Sequence, residues 1–202
     1  ATGAQSRRLE GTPGEERYYG RGVASCATCE GWFFKGRNVV VVGGGDTAME
    51  EALFLSRICK SVTIVHRRGT FSASKIMAER VMASPRIEIK WNSTVAEFAG
   101  NGDKLTHVVL SNLWTEMDDI LEVDGAFVAI GQQPNTETLR GGPLEMDTDG
   151  FIMTHRGTHT NLEAVFAAGD VADRVYRQAI TSAGTGAMAA MDAERYLCHL
   201  GC

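Results

Sequence analysis

Cys26 and Cys29 are separated by Ala27 and Thr28, a spacing at which two side chains can bridge without displacing the backbone. After one apolar strand comes the glycine-rich turn Gly43-Gly44-Gly45-Asp46-Thr47-Ala48. A dithiol able to cycle through a disulfide and a cradle for a dinucleotide thus lie close together in sequence. Together they point to electrons passing from a nicotinamide cofactor to a protein disulfide. Three readings of the cysteines stand: a redox pair, two inert buried thiols, or half of a zinc site. Zinc needs four ligands, and Cys59, Cys198 and Cys202 do not supply a second knuckle. In the redox reading, one thiolate is the attacking species in exchange. Glu30 follows at once and could hand a proton to a leaving thiolate if partial burial raises its pKa; otherwise it is a surface glutamate.

The turn belongs to a recognisable unit. Val39 to Val42 is an unbroken β-branched run, the pattern of a strand buried on both faces of a parallel sheet. Asp46 or Thr47 can cap the helix that follows, whose apolar positions Ala48, Ala52, Leu55 and Ile58 recur at helical spacing. Val62, Ile64 and Val65 make a second strand, so residues 39–65 read as a β-turn-α-β unit. Here Gly43 permits the tight turn, Gly45 lets the backbone approach a pyrophosphate, and Ala48 allows close helix–strand packing. A glycine turn without a ligand is the plain alternative. An NAD site would place Asp or Glu at the end of the second strand, where this chain has His66-Arg67-Arg68. Two guanidinium groups suit a 2′-phosphate, which favours NADPH.

Elsewhere the signals are structural. Gly11 to Glu16 reads as an exposed connection, and Ile76 to Met82 as a second amphipathic helix ending near Ser84-Pro85. Ile87 to Trp91, Val95 to Phe98, Leu105 to Leu113 and Ile120 to Val123 read as an antiparallel meander, after which Ala126 to Ile130 returns to a buried strand. Phe151 to Thr154 and Ala164 to Ala167 are expected as short strands. A closing helix is expected from about Arg177 to Leu197, with small residues that imply close packing on a backbone or cofactor, or a place in the core. Cys59 reads as a packing residue, and Cys198 with Cys202 as a second exchange pair or an incidental one.

With 202 residues, 44% hydrophobic content and 22% charge, the composition is that of a globular chain with one large or two small domains. A net charge of -5 argues against nucleic acid or an anionic membrane as partner. No apolar run reaches the roughly 18 residues of a membrane helix. Ala1-Thr2-Gly3-Ala4 has neither a basic nor an apolar leader region, and five cysteines form no extracellular framework, so a cytoplasmic setting is expected.

Taken as a set, these motifs resemble the low-molecular-weight thioredoxin reductases. The match extends through Phe127-Val128-Ala129-Ile130-Gly131, Ala167-Ala168-Gly169-Asp170-Val171 and Tyr176-Arg177-Gln178-Ala179-Ile180-Thr181, and runs almost continuously from Ala1 to Leu197. The resemblance implies an α/β fold with a Rossmann-like NADPH domain, parallel sheet plus antiparallel meander, inserted into a partial FAD-binding α/β domain. Residues 1–8 would end a first FAD segment, 9–130 would bind NADPH and carry the dithiol, and 131–202 would form a second FAD segment.

By position, the resemblance implies that Cys29 takes electrons from FAD, Cys26 attacks the thioredoxin disulfide, and Glu30 replaces the family's aspartate acid. Gly43, Gly45, Asp46, Thr47, His66, Arg67 and Arg68 would bind NADPH. Ile130, Gly169, Asp170, Arg177, Gln178 and Ala179 would contribute to the cofactor sites, the last five toward FAD. Ser72 stands where the family has a further basic residue. The family's homodimer and a rotation of the NADPH domain, with hinges near Arg7–Arg8 and Gly131–Gln133, are implied too. The first FAD-binding glycine fingerprint is absent from this sequence, so an N-terminally incomplete subunit is expected. Alternatives are a reductase arm for a peroxidase or other disulfide partner, a ferredoxin-fed flavoprotein, and a non-enzymatic NADPH-binding fragment.

Overall fold

The computed structural model describes residues 1–201. Cys202, and with it the expected pairing to Cys198, lies outside the described residues. In chain order the elements are β1 (Ala4–Ser6), α1 (Glu15–Tyr18), β2 (Val23–Ala24), α2 (Ala27–Glu30), a 3-10 turn (Gly31–Phe34), β3 (Asn38–Val42), α3 (Asp46–Ile58), β4 (Ser61–His66), α4 (Lys75–Met82) and β5 (Ile87–Trp91). They continue with β6 (Ser93–Gly100), β7 (Leu105–Asn112), β8 (Asp118–Glu122), β9 (Gly125–Val128), β10 (Gln132–Pro134), a 3-10 turn (Glu137–Leu139) and α5 (Ala179–His199). The chain divides into two compact units, Ser6–Gly131 and Ala1–Gln5 with Gln132–Cys202.

In the first unit, β2-β9-β3-β4-β5 form a five-stranded sheet whose pairings are all parallel. The valine run of β3 explains its central position. Val39 and Val41 point into a core with Ala48, Met49, Ala52 and Leu55 of α3. Val40 and Val42 point the other way, into a core with Val95, Phe98, Leu105, Val108 and Leu110 of β6 and β7. The parallel sheet is therefore the middle layer, between helix α3 and the antiparallel sheet β6-β7-β8. Both faces are dry, which is why the strand shows no polar alternation.

Several expectations are corrected. Ile87 to Trp91 pairs in parallel with β4, not in the antiparallel meander, which holds only β6 to β8. Its alternating pattern fits either sheet, because a strand with one half-covered face does not encode its neighbour's direction. Glu15 is buried, and its Oε2 accepts from the Leu9 N–H at 2.9 Å, so residues 11–16 do not form a wholly exposed connection. Helix α3 begins on Gly45 as N-cap; neither Asp46 nor Thr47 caps it.

In the second unit, β1 and β10 form a two-stranded sheet. Residues 151–154 and 164–167 form only isolated bridges, Met146 with Ile152 and His159 with Phe166, rather than strands. Helix α5 starts later than expected, because Arg177 takes a left-handed φ of 51° and Gln178 closes a capping box with Thr181. None of its residues is buried within this chain, and Gly184 and Gly186 face open space.

Phe127 is fully buried in β9, with its ring edge-on to Phe34 at a centroid distance of 5.4 Å. Phe127→Ala is expected to cost about 3–5 kcal/mol in urea unfolding. Trp114→Ala, at a site 79% exposed, should stay within about 0.5 kcal/mol.

Candidate functional site

Strand β2 delivers the chain to Cys26, whose extended backbone makes it the N-cap of α2. Cys26 and Cys29 are joined in a disulfide with Cα atoms 5.3 Å apart. Cys26 Sγ accepts from the Cys29 N–H at 3.2 Å, so the sulfur fills the place a capping oxygen would take. Cys26 is half-buried and Cys29 exposed, which removes the reading of two inert buried thiols. Cys59 is the contrasting case: buried in the α3 core, with burial pushing its thiol up to about 11. Cys198 is exposed and unbridged.

Glu30 closes α2 and is half-buried, and burial raises its carboxyl above the ordinary range. The carboxyl therefore keeps its proton to a higher pH than a surface glutamate would. Ala27, between the cysteines, is fully buried, and its N–H donates to Glu51 Oε1 of α3 at 3.4 Å. Trp32 and Phe33 follow directly and are 59% and 79% exposed.

The glycine turn is shaped by close approaches. Gly43 has φ 154°, and a side chain there would collide with the Ala129 carbonyl and, at 2.9 Å, with the Ala48 Cβ. A Cβ on Gly44 would enter the His66 ring, whereas one on Gly45 would meet nothing nearer than Ser72 Oγ at 4.0 Å. Open space thus lies in front of Gly45, at the N-terminus of the 13-residue helix α3, where backbone N–H groups favour an anion. The Gly44 carbonyl accepts from Ser72 N, Ser72 Oγ and Ala73 N at 2.9, 3.0 and 3.0 Å. Asp46 Oδ1 accepts from the N–H and hydroxyl of Ser74 at 2.9 and 2.8 Å. Residues 72–74 are therefore latched onto the turn.

His66 is buried behind Gly44, with Nε2 3.0 Å from the Thr70 carbonyl oxygen and its ring near Phe71 and Trp91. Burial lowers its pKa, the Thr70 carbonyl opposes that, and the Arg68 and Arg67 charges lower it further, so the net shift is downward. Arg67 and Arg68 are exposed just past β4, and among the described residues neither has a carboxylate within ion-pair distance. Ile130 lies just past β9, packed on the β6–β7 core.

The second unit gathers Gly169, Asp170, Arg177, Gln178 and Ala179 around the start of α5. Gly169 N–H donates to Thr185 Oγ1 at 3.0 Å, and Ser182 Oγ donates to Asp170 Oδ1 at 2.7 Å. Asp173 organises the approach. Burial alone would raise its carboxyl, but N–H donors from Tyr176, Arg177 and Val175 and the Thr181 hydroxyl outweigh it and hold the group below its usual range. Among the described residues no His, Cys, Asp and Glu group could hold a metal ion, and no helix is long and apolar enough to cross a membrane.

Residues 1–186 match the pyridine nucleotide-disulphide oxidoreductase family. The chain belongs to that family. It is 54% identical to the thioredoxin reductase of Streptomyces clavuligerus over 98% of its own length and 61% of that protein's. Among solved structures it is similar to the thioredoxin reductase of Giardia duodenalis, with TM-score 0.91 and 42% identity over 97% of this chain and 64% of that one. A thioredoxin reductase from Streptococcus pyogenes gives TM-score 0.89 and 39% identity, over 96% and 63%. The chain thus spans about three fifths of the length of these relatives.

Sequence reasoning missed Glu51, Asp173 and the Trp32–Phe33 pair. Asp173 had no signal, since its partners are backbone N–H groups whose positions depend on the loop. Glu51 had a faint one: it falls in the same helical stripe as Ala48, Ala52 and Leu55.

Proposed function

We propose that this chain is the greater part of a thioredoxin reductase, in which residues 9–130 bind NADPH and carry the dithiol. Residues 1–8 and 131–202 contribute to an FAD site, and the whole protein works in the cytoplasm as a homodimer. The observation that carries this reading is the Cys26–Cys29 disulfide, with Cys26 half-buried and Cys29 exposed, on a short helix joined to the helix of the glycine turn.

The residues present fit the cofactors. The space before Gly45, the N-terminal N–H groups of α3 and the unpaired Arg67 and Arg68 suit the pyrophosphate and 2′-phosphate of NADPH. Asp46 and Thr47 begin α3 beside that space, and buried His66 supports the turn from behind. Gly169, Asp170 and the first turn of α5 form a second helix N-terminus, suited to FAD. When bound, the two cofactors supply two electrons and a proton source to reopen the Cys26–Cys29 bond as two thiols.

The dithiol then acts by exchange. Cys26, as thiolate, attacks one sulfur of the thioredoxin disulfide, forming a mixed disulfide and releasing a thiolate that takes a proton from Glu30. Glu30, now a carboxylate, takes the Cys29 proton; Cys29, as thiolate, attacks Cys26 Sγ, closing the intramolecular disulfide and releasing the second thioredoxin sulfur as a thiolate that is protonated from solvent. The chain loses the two electrons that thioredoxin gains. Trp32 and Phe33 offer apolar surface beside the sulfurs for a protein partner.

The exchange step needs no flavin, so the chain itself can be tested. Chain reduced with dithiothreitol and freed of reagent is mixed with oxidised thioredoxin. Cys29→Ser should accumulate a mixed disulfide through Cys26, and Cys26→Ser should lose about 100-fold or more in thioredoxin reduction rate. Wild-type reduction by Cys26→Ser would contradict the assignment. For the nucleotide, calorimetry should show the Arg67→Ala/Arg68→Ala pair weakening NADPH about 10- to 100-fold, with NADH changed less than about 2-fold. Equal losses for both nucleotides would remove the 2′-phosphate role.

A further inference from the structure

Glu51 is the one acidic residue in the inward stripe of α3, beside Ala48, Ala52 and Leu55, which are all fully buried. Its Oε1 accepts from the Ala27 N–H at 3.4 Å, and its Oε2 is shielded from water. A carboxylate so placed carries a desolvation cost that an apolar residue at the same position would not. Its contact is the first residue of the helix that bears the dithiol.

We propose that Glu51 is ionised and is a positioning residue for the dithiol: it holds the Ala27 amide and, as a carboxylate, restrains ionisation of the Cys26 thiol. This rests on the reading of Cys26 as the attacking sulfur. The backbone N–H groups at the start of α2 are divided between two acceptors. Ala27 N–H goes to Glu51, and Cys29 N–H goes to Cys26 Sγ. The second bond favours a thiolate on Cys26, and the first brings a carboxylate to the neighbouring amide, which opposes it. The balance keeps the thiol protonated until a partner arrives, while the fixed amide keeps Cys26 extended and its sulfur on the Cys29 N–H.

Other charged groups on the packed elements are accounted for. On α2 there is Glu30; on α3 there are Asp46, held by Ser74, and the exposed Glu50 and Arg57; the 3-10 turn Gly31–Phe34 has none, and Lys35 follows it. Glu51 alone among them is joined to the backbone of the dithiol segment by a hydrogen bond between α3 and α2.

The test is the pH dependence of Cys26 alkylation by iodoacetamide in the reduced chain, resolved from the other cysteines by peptide mass. Glu51→Gln keeps the shape and an oxygen acceptor but removes the charge. It should lower the midpoint by about 0.5–1 pH unit, while Glu50→Gln moves it by less than about 0.2. Glu51→Ala should shift the midpoint the same way and also speed hydrogen exchange at the Ala27 amide. A capping role alone would leave the Glu51→Gln midpoint unchanged, and that result, or an upward shift, overturns the proposal. If Cys26 still forms its mixed disulfide while the midpoint stays fixed, only this inference fails. If the midpoint falls but no mixed disulfide forms, Glu51 governs Cys26 ionisation but the reading of Cys26 as the attacking sulfur fails.

Discussion

The first unit depends on how closely helix α3 lies against the parallel sheet. Gly43 meets the Ala129 carbonyl and Ala48 at distances no side chain would allow, and Ala48 and Ala52 are fully buried beneath the helix. The same helix receives the dithiol segment. A Cβ on Gly31 would lie 2.9 Å from Leu55 Cδ2 and 3.1 Å from Phe54 Cε1, and Ala27 is held by Glu51. One rigid element therefore carries the open glycine turn at its N-terminus and the sulfur-bearing helix on its flank. Small residues at both contacts make this possible, and larger ones would lift one feature away from the other.

The local signals were legible in the sequence. The valine run of β3, the glycines of the turn and the basic residues after β4 each act within a few positions, so spacing alone exposed them. Readings that depend on distant partners failed. Ile87 to Trp91 looks the same whether its neighbour runs parallel or antiparallel, and the parallel partner β4 lies more than twenty residues away in sequence. Glu15 reads as a solvent-facing glutamate until the Leu9 N–H is brought to it. The capping of α3 was misassigned because Asp46 is drawn off to Ser74, a contact between segments that spacing does not encode.

The second unit was less legible for a different reason. Its short bridges at Ile152 and Phe166 lack the length that makes a strand pattern readable. Helix α5 is rich in small and apolar residues, and none of them is buried within this chain. Its start is set by backbone conformation at Arg177 and by Asp173, neither of which announces itself as a cap. Glu51 teaches the same lesson in the first unit: one polar residue in an apolar stripe marks a tertiary contact whose partner only the fold supplies.

The proposed function turns on the redox behaviour of the Cys26–Cys29 pair. The most direct test is the two-electron midpoint of Cys26–Cys29, measured by equilibrating the chain with graded dithiol–disulfide buffers and quantifying the oxidised pair by mass. The account predicts a midpoint at or below about -270 mV, the potential of thioredoxin itself. A midpoint above about -200 mV would make transfer to thioredoxin uphill and contradict it.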